Sequence, residues 1–274
     1  MTAKEDWQGK TGEGWAAEWR RTDRSLGGVT EQLLARSREF PFRHALDIGC
    51  GAGELSLALA RGHPQARVVG VDISPQLLAV ARERAEHLSN LEFELADAAQ
   101  WSPADDFAPQ LLISRHGVMF FADPPAAFAN LASFAADDAA LLFSCFRDPS
   151  ENPFFSEIGA VLPRPAEAPD RYAPGPFAFA DRDHVSAILT DGGWDRIAFE
   201  PFDFAMIAGA GDDPVEDAMG YFQRIGPAAA AMRLMDEHAR AATIAAIREV
   251  VTPHLRDGLV ALRAATWIVT AHRA

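Results

Sequence analysis

Only two cysteines, Cys50 and Cys145, occur in the 274 residues, far apart and each in apolar surroundings. Neither belongs to a CxxC pair or a His-rich spacing, so no structural zinc or other metal site is expected, and two reduced, buried thiols of a cytoplasmic protein are. Long apolar runs are also missing. No stretch of about eighteen uninterrupted apolar residues occurs, which predicts no membrane span. Residues 1–20 are polar and of mixed charge, without the apolar segment of a signal peptide. Basic residues are scarce as well: 25 Lys and Arg against 39 Asp and Glu leave a net charge of −14. A broad nucleic-acid surface needs concentrated positive charge, so nucleic acid is not an expected partner. The short cluster Arg20, Arg21, Arg24 is flanked by acids and reads as a solvated helix face.

With 49% hydrophobic residues the chain can bury a sizeable core, as one enlarged α/β domain or a core with an attachment. Residues 1–40 read as helical, with Trp15 and Trp19 four apart on one packing face, up to the break at Phe40-Pro41. Strands and helices then alternate. Strands are predicted at 44–48, 67–71, 91–95, 111–114 and 140–146, with helices between them. Ser74-Pro75 and Asp123-Pro124 supply helix caps with proline at the first helical position. Such alternation implies a parallel sheet with helices on both faces. Residues 148–180 are Pro-rich and carry Phe154, Phe155, Phe177 and Phe179. A helix at 181–190 begins at the Asp181 cap, with His184 in its first turn, and a strand at 194–204 is broken at Pro201. Helices follow, the first starting at Asp213-Pro214 and stopping at Gly226-Pro227. A last strand spans 265–271. The division expected is a helical segment at 1–40, a core at 41–208, a helical lid at 209–258 and a final core strand within 259–274. Met219, Tyr221, Phe222 and Met232 belong either to the lid core or to the wall of an apolar substrate chamber.

The segment from Ala45 to Leu55 (ALDIGCGAGEL) places a glycine loop between a buried strand and a helix. Gly49, Gly51 and Gly53 suit a turn at the carboxyl end of the first strand, where open α/β sheets bind ligands. Asp72 follows at the tip of the next strand, nineteen residues after Gly53, where a carboxylate can accept both hydroxyls of a ribose. A dinucleotide fingerprint would need a third glycine where Glu54 stands, and a pyrophosphate at that helix start would face its charge. A sulfonium ligand, cationic and without phosphate, meets Asp47 and Glu54 without penalty.

Residues 45–60 resemble the first motif of class I (Rossmann-like) S-adenosylmethionine-dependent methyltransferases. VVGVDISPQLL and LEFELADA resemble the segments that follow it, and LISRHGVMFF the end of the fourth strand. SRHGVMFFADPPAAFANL, ENPF and GPFAFAD are similar to a bacterial ubiquinone-biosynthesis-type or type 11 group. One departure is Ala135 to Ala139, where the family commonly has a Pro-Gly-Gly turn. The resemblance implies a seven-stranded sheet, six strands parallel and the last antiparallel, and S-adenosyl-L-methionine as cofactor. It implies a cofactor site of Asp47, Gly49, Cys50, Gly51, Gly53, Asp72, Ile73, Asp97, Ala98, Ser114 and Arg115, with Asp97 accepting from the adenine amino group. Trp15 either covers the cofactor or only packs. Arg115 pairs either the cofactor carboxylate or a structural acid. His116 is the candidate catalytic base, with local packing as its alternative. The expected function is methyl transfer to O, N or C of a small, partly apolar molecule. A nicotinamide oxidoreductase is disfavoured by Glu54 and by the lack of a Tyr-Lys pair, while a non-catalytic S-adenosylmethionine-binding sensor or subunit is the remaining alternative.

Overall fold

The computed structural model describes residues 4–103, 106–163 and 170–274. Positions 164–169 of the Pro-rich stretch and the first three residues fall outside them. The N-terminal segment is four short helices: α1 (Lys4–Gln8), α2 (Lys10–Ala17), α3 (Trp19–Ser25) and α4 (Gly27–Ser37). The breaks at Gly9, Glu18 and Leu26 correct the expectation of one face carrying both Trp15 and Trp19. Trp15 packs on Trp7 at 5.4 Å between ring centroids, whereas Trp19 lies under the Arg84 guanidinium at 3.9 Å.

The alternating core follows: β1 (His44–Ile48), α5 (Glu54–Gly62), β2 (Arg67–Asp72), α6 (Pro75–Ala85), β3 (Leu91–Leu95), β4 (Leu111–Arg115), α7 (Pro124–Phe134) and β5 (Ala140–Phe146). Next come α8 (Pro153–Ala160), α9 (Arg182–Asp191) and β6 (Trp194–Gly209). An insertion of α10 (Pro214–Arg224), α11 (Gly226–Met232), α12 (Glu237–Val251) and β7 (Leu255–Arg256) precedes β8 (Leu259–Arg273). Local chemistry sets the helix starts. Ser74, Asp123, Asp181 and Asp213 each accept a backbone N–H in the first turn they cap, satisfying donors the helix leaves open. Gly226-Pro227 opens α11 as well as ending α10, because proline at a first turn loses no hydrogen bond.

The sheet order is β3-β2-β1-β4-β5-β8-β6, with β7 paired to the outer part of β8. The first five strands pair in parallel, and β8 runs antiparallel to both β5 and β6. Six strands are therefore parallel and the last long one is reversed. Among the described residues the two-residue β7 makes eight strands rather than seven. Pro201 does not break β6, since an edge strand tolerates a residue with no N–H. Asp138 takes φ +58° in the turn before β5, where the resemblance leads to glycine, and it is tied to Arg196. Strands β1, β4 and β5 are almost wholly buried. Helices α4, α5 and α6 pack in succession, and α7 packs against α9. Burial on both faces explains the near-continuous apolar reading of these strands. The carboxyl ends of β1, β2 and β4 are thereby brought side by side.

Candidate active site

The loop after β1 holds φ of +66°, +56° and +83° at Gly49, Gly51 and Gly53. A Cβ on Gly49 would lie 3.0 Å from Gly117 Cα, and one on Gly117 would lie 2.6 Å from the Ile48 carbonyl oxygen. The loops leaving β1 and β4 thus touch backbone to backbone, which only glycine permits. Ser114 fastens this contact: its hydroxyl donates to the Ile48 carbonyl at 2.7 Å and accepts from Gly117 N–H at 3.1 Å. In front of Gly51 a Cβ would meet nothing within 4 Å, so the loop leaves a cradle open beside its backbone.

Asp72 borders that cradle. Its carboxylate accepts from Gly51 N–H and Ser74 N–H, each at 2.8 Å, so the acid braces the loop. Burial raises its pKa, and hydrogen bonds from Ser74, Gly51 and Ile73 work against the rise. A carboxylate offers about four lone-pair sites, so Asp72 keeps accepting capacity for a hydroxyl. Ile73 is half-buried next to it, and Cys50 is a buried, unpaired thiol whose pKa burial pushes up. Asp47 lies wholly buried beneath the loop. Burial lifts its carboxyl to about 6 even though Ser56 Oγ donates to it at 2.5 Å. At the tip of β3, Asp97 accepts from Ala99 N–H at 3.0 Å and pairs with Lys4 Nζ at 2.8 Å. Ala98 is buried beside it.

Beyond β4, Arg115 donates to Thr30 Oγ1 at 2.8 Å and pairs with Asp23 at 3.2 Å. Of the two partners open for Arg115, the described contacts are with a structural acid. Asp23 also meets Arg84 at 2.9 Å, and Arg84 meets Glu54 at 2.6 Å. Glu54 is therefore counterbalanced by Arg84, which weakens the argument from its bare charge. His116 takes φ +62° and is buried, its Nδ1 2.7 Å from Ser144 Oγ and its ring 4.2 Å from that of Phe146. Burial, with Arg115 nearby, drops its pKa to about 3, so the ring is neutral and a weak base. Phe155 and Phe177 continue the aromatic wall from Phe146, at 5.0 and 6.0 Å. Phe154, by contrast, joins Tyr221 and Phe222, and Phe179 lies against Phe128 and Phe143. Met219, Tyr221, Phe222 and Met232 are all buried, which places them in the packed core of the insertion.

Several residues at this end of the sheet carried no sequence signal. Lys4 reaches Asp97 from 93 positions away, and Trp7 sits between Trp15 and Phe120, 5.2 Å from the latter. Gly12 presses on the Ser74 side chain, and Gln8 accepts from Gln76, so α1 and α2 lie across the β2 end. Arg21 and Arg24, read as solvated, each reach Asp217 of α10 at 2.7 Å. Ser144 did leave a signal, as one of two polar-capable positions in the apolar strand ALLFSCF.

Residues 45–138 match the family described as "Methyltransferase domain". A trans-aconitate 2-methyltransferase of Variovorax paradoxus (strain S110) is 33% identical over 182 residues, 66% of each chain. A second, from Delftia acidovorans, is 37% identical over 106 residues, 37% of this chain and 38% of that one. The chain thus spans just under two thirds of the first relative's length and little over a third of the second's. Among solved structures, the YcgJ protein of Bacillus subtilis superposes with a TM-score of 0.58 at 16% identity, covering 89% of this chain and 98% of that one. That likeness is one of fold. The glycine loop, the Asp72 brace, the 3-2-1-4-5 strand order closed by a reversed strand, and the sequence match agree: residues 45–138 are a methyltransferase domain of the class I, S-adenosylmethionine-dependent kind.

Proposed function

We propose that this chain moves the methyl group of S-adenosylmethionine to a small, partly apolar acceptor. The observation that carries the reading is the open cradle at Gly51 with the Asp72 carboxylate at its edge, one loop away from an aromatic wall around His116. When bound, S-adenosylmethionine supplies a methyl carbon made electrophilic by its sulfonium. The protein then has to orient and to exclude water. Asp72 takes the ribose hydroxyls. Asp97 takes the adenine amino group with Ala98 beside it, and Lys4 shifts aside to share that edge. Asp47 supplies negative charge under the sulfonium, and Gly49, Cys50, Gly53 and Ile73 shape the cradle. Ser114 and Arg115 act through the backbone contact at Gly117 and the Asp23 pair. Trp15 acts with Trp7 as part of the cover formed by α1 and α2. The insertion over 209–258 is a lid on the acceptor side.

The acceptor favoured is an oxygen-bearing or nitrogen-bearing molecule with a largely apolar body. Trans-aconitate, named for the relatives, is a tricarboxylate and calls for uncommitted cations. The arginines at this end of the sheet already hold acids: Arg115 and Arg84 hold Asp23, Arg21 and Arg24 hold Asp217, and Arg147 holds Asp203 at 2.9 Å. The net charge of −14 supports a role without nucleic acid, and the two unpaired buried thiols suit a cytoplasmic setting. Among the described residues no helix is long and apolar enough to cross a membrane.

Calorimetry tests the cofactor directly. S-adenosylhomocysteine should bind in roughly the micromolar range, and NAD should not. NAD binding with S-adenosylhomocysteine ignored would overturn the assignment. A screen of aromatic acceptors alongside trans-aconitate, with labelled S-adenosylmethionine, then reads the acceptor class.

A further inference from the structure

His116 occupies a costly position. A left-handed backbone at φ +62° strains a non-glycine residue by about 1–2 kcal/mol, and nothing in the β4 turn requires histidine there. Its ring is nonetheless buried, and the two nitrogens differ. Nδ1 meets Ser144 Oγ at 2.7 Å, while Nε2 is buried with no hydrogen-bond partner. Ser144 is itself fully buried, and its hydroxyl has no other partner among the described residues. A buried hydroxyl hydrogen needs an acceptor, so Ser144 Oγ–H donates to His116 Nδ1. The neutral imidazole then carries its one hydrogen on Nε2. The ring that carries this orphaned donor abuts an aromatic cluster: Phe146 meets His116 at 4.2 Å, Phe155 and Phe177 meet Phe146 at 5.0 and 6.0 Å, and they meet each other at 4.9 Å. An unmade buried hydrogen bond costs about 1–3 kcal/mol, a cost that a bound partner removes.

We propose that His116 is a substrate-binding donor rather than a base: Nε2–H, fixed in that tautomer by Ser144, seats an oxygen lone pair of the acceptor against the Phe146, Phe155 and Phe177 rings. The inference rests on the methyl-transfer reading above for the identity of its ligand as acceptor. A pKa of about 3 agrees with it, because such an imidazole takes up almost no proton at neutral pH yet still donates a hydrogen bond. Ser144 is a positioning residue, acting only through the ring. The acceptor class that fits is a planar, largely apolar molecule bearing a carbonyl or phenolic oxygen, and a polycarboxylate does not fit.

The test uses the full-length protein labelled with 15N-histidine. His116 is assigned by the signal lost in His116→Phe, and its tautomer is read from two-bond nitrogen–proton correlations, with and without S-adenosylhomocysteine. The expected spectrum shows hydrogen on Nε2 and none on Nδ1 from pH 5 to 8. Ser144→Ala should turn this into a mixture of tautomers. With S-adenosylhomocysteine present, ortho-hydroxyacetophenone is the probe: it should move the Nε2–H signal downfield and bind about tenfold more weakly to His116→Phe, one hydrogen bond's worth. Hydrogen on Nδ1 in the native protein overturns the proposal, and needs no variant to fold. So do equal probe affinities in native protein and His116→Phe, absence of probe binding at millimolar concentration, or an Nε2–H signal held upfield by Phe146 and unmoved by the probe. Failure to bind S-adenosylhomocysteine would instead remove the methyl-transfer reading, while the tautomer of the unliganded protein would still be measured.

Discussion

Asp47 is a carboxyl with no access to water, and replacing it should make the protein more stable at neutral pH. Burial raises its pKa from 3.8 to about 6, against the hydrogen bond from Ser56 and the field of Arg115, and with Asp72 adding to the rise. In the unfolded chain the carboxyl ionises near its ordinary value. Between the two values the folded state holds the extra proton, so stability falls as pH rises through that window. A displacement of about two units corresponds to about 3 kcal/mol, fully expressed above pH 6 and absent below about pH 4. Asp47→Asn keeps an oxygen for Ser56 and has no ionisation to suppress. Its stability relative to the native protein should therefore climb by about 2–3 kcal/mol between pH 4 and pH 7.5. Urea unfolding of both proteins at half-unit pH steps measures this, and taking the difference cancels every other titrating group. A difference that stays flat across the window, or falls with pH, would refute the reasoning. The same variant should bind S-adenosylmethionine less tightly than native protein if, as proposed, Asp47 supplies charge under the sulfonium.

Asp72→Ala should lose about 2–4 kcal/mol of S-adenosylhomocysteine affinity by calorimetry, because charge-assisted bonds leave a shielded site; an unchanged dissociation constant would show the loop misread. It should also lower unfolding stability by about 1–3 kcal/mol, since Gly51 and Ser74 N–H lose their acceptor. Asp217→Ala releases α10 from Arg21 and Arg24 and from Ala210 N–H. Amide exchange in α10 should quicken and the acceptor KM should rise, with cofactor affinity unchanged. Weaker cofactor binding with normal acceptor kinetics would sink the lid reading.

The parts of this molecule that a reader of the sequence can recover are those governed by near neighbours. Ser74, Asp123, Asp181 and Asp213 cap helices whose first turns begin one residue later, and the alternation of elements follows from local period. The glycine loop and Asp72 were legible because strand, turn and acid lie within thirty residues. What escaped depends on chain folding back. The pairing of Arg21 with Asp217 spans 196 positions, and no local pattern distinguishes it from a solvated arginine. Lys4 on Asp97 is hidden for the same reason. The N-terminal tryptophans misled through their spacing: four apart suggests one helix face, but Glu18 breaks the helix between them and sends Trp19 to Arg84. His116 was visible as a residue, but not its left-handed backbone or its link to Ser144, and the donor role proposed for it rests on that link.

The proposed cover joins two segments distant in sequence, and the energetics of their contacts are unequal. Polar ties are numerous: Arg21 and Arg24 to Asp217, Arg224 to Glu18 at 3.3 Å, and Ser25 Oγ to Tyr221 at 3.4 Å. Arg224 is more than half exposed, so that pair contributes little, and partly screened pairs such as Arg21 with Asp217 add about 1 kcal/mol or less. The apolar side is heavier. Met219, Tyr221 and Phe222 are each no more than 2% exposed, and Tyr221 and Phe222 pack on Phe154 of α8; burying one such side chain is worth about 1.5–3 kcal/mol. Packing therefore holds α10 down on β6, α11 and α12, with Tyr221 and Phe222 also meeting Phe154 of α8. Because α8 also carries Phe155, the wall beside His116 is continuous with this packed cluster. Because α3 carries Arg21, Arg24 and Asp23, the same helix that steadies α10 steadies Arg115 at the end of β4. The wall proposed for the acceptor and the end of β4 consequently share one support, so a substitution that loosens α3 should be felt at both, whereas one confined to Phe155 should be felt at the proposed acceptor side alone.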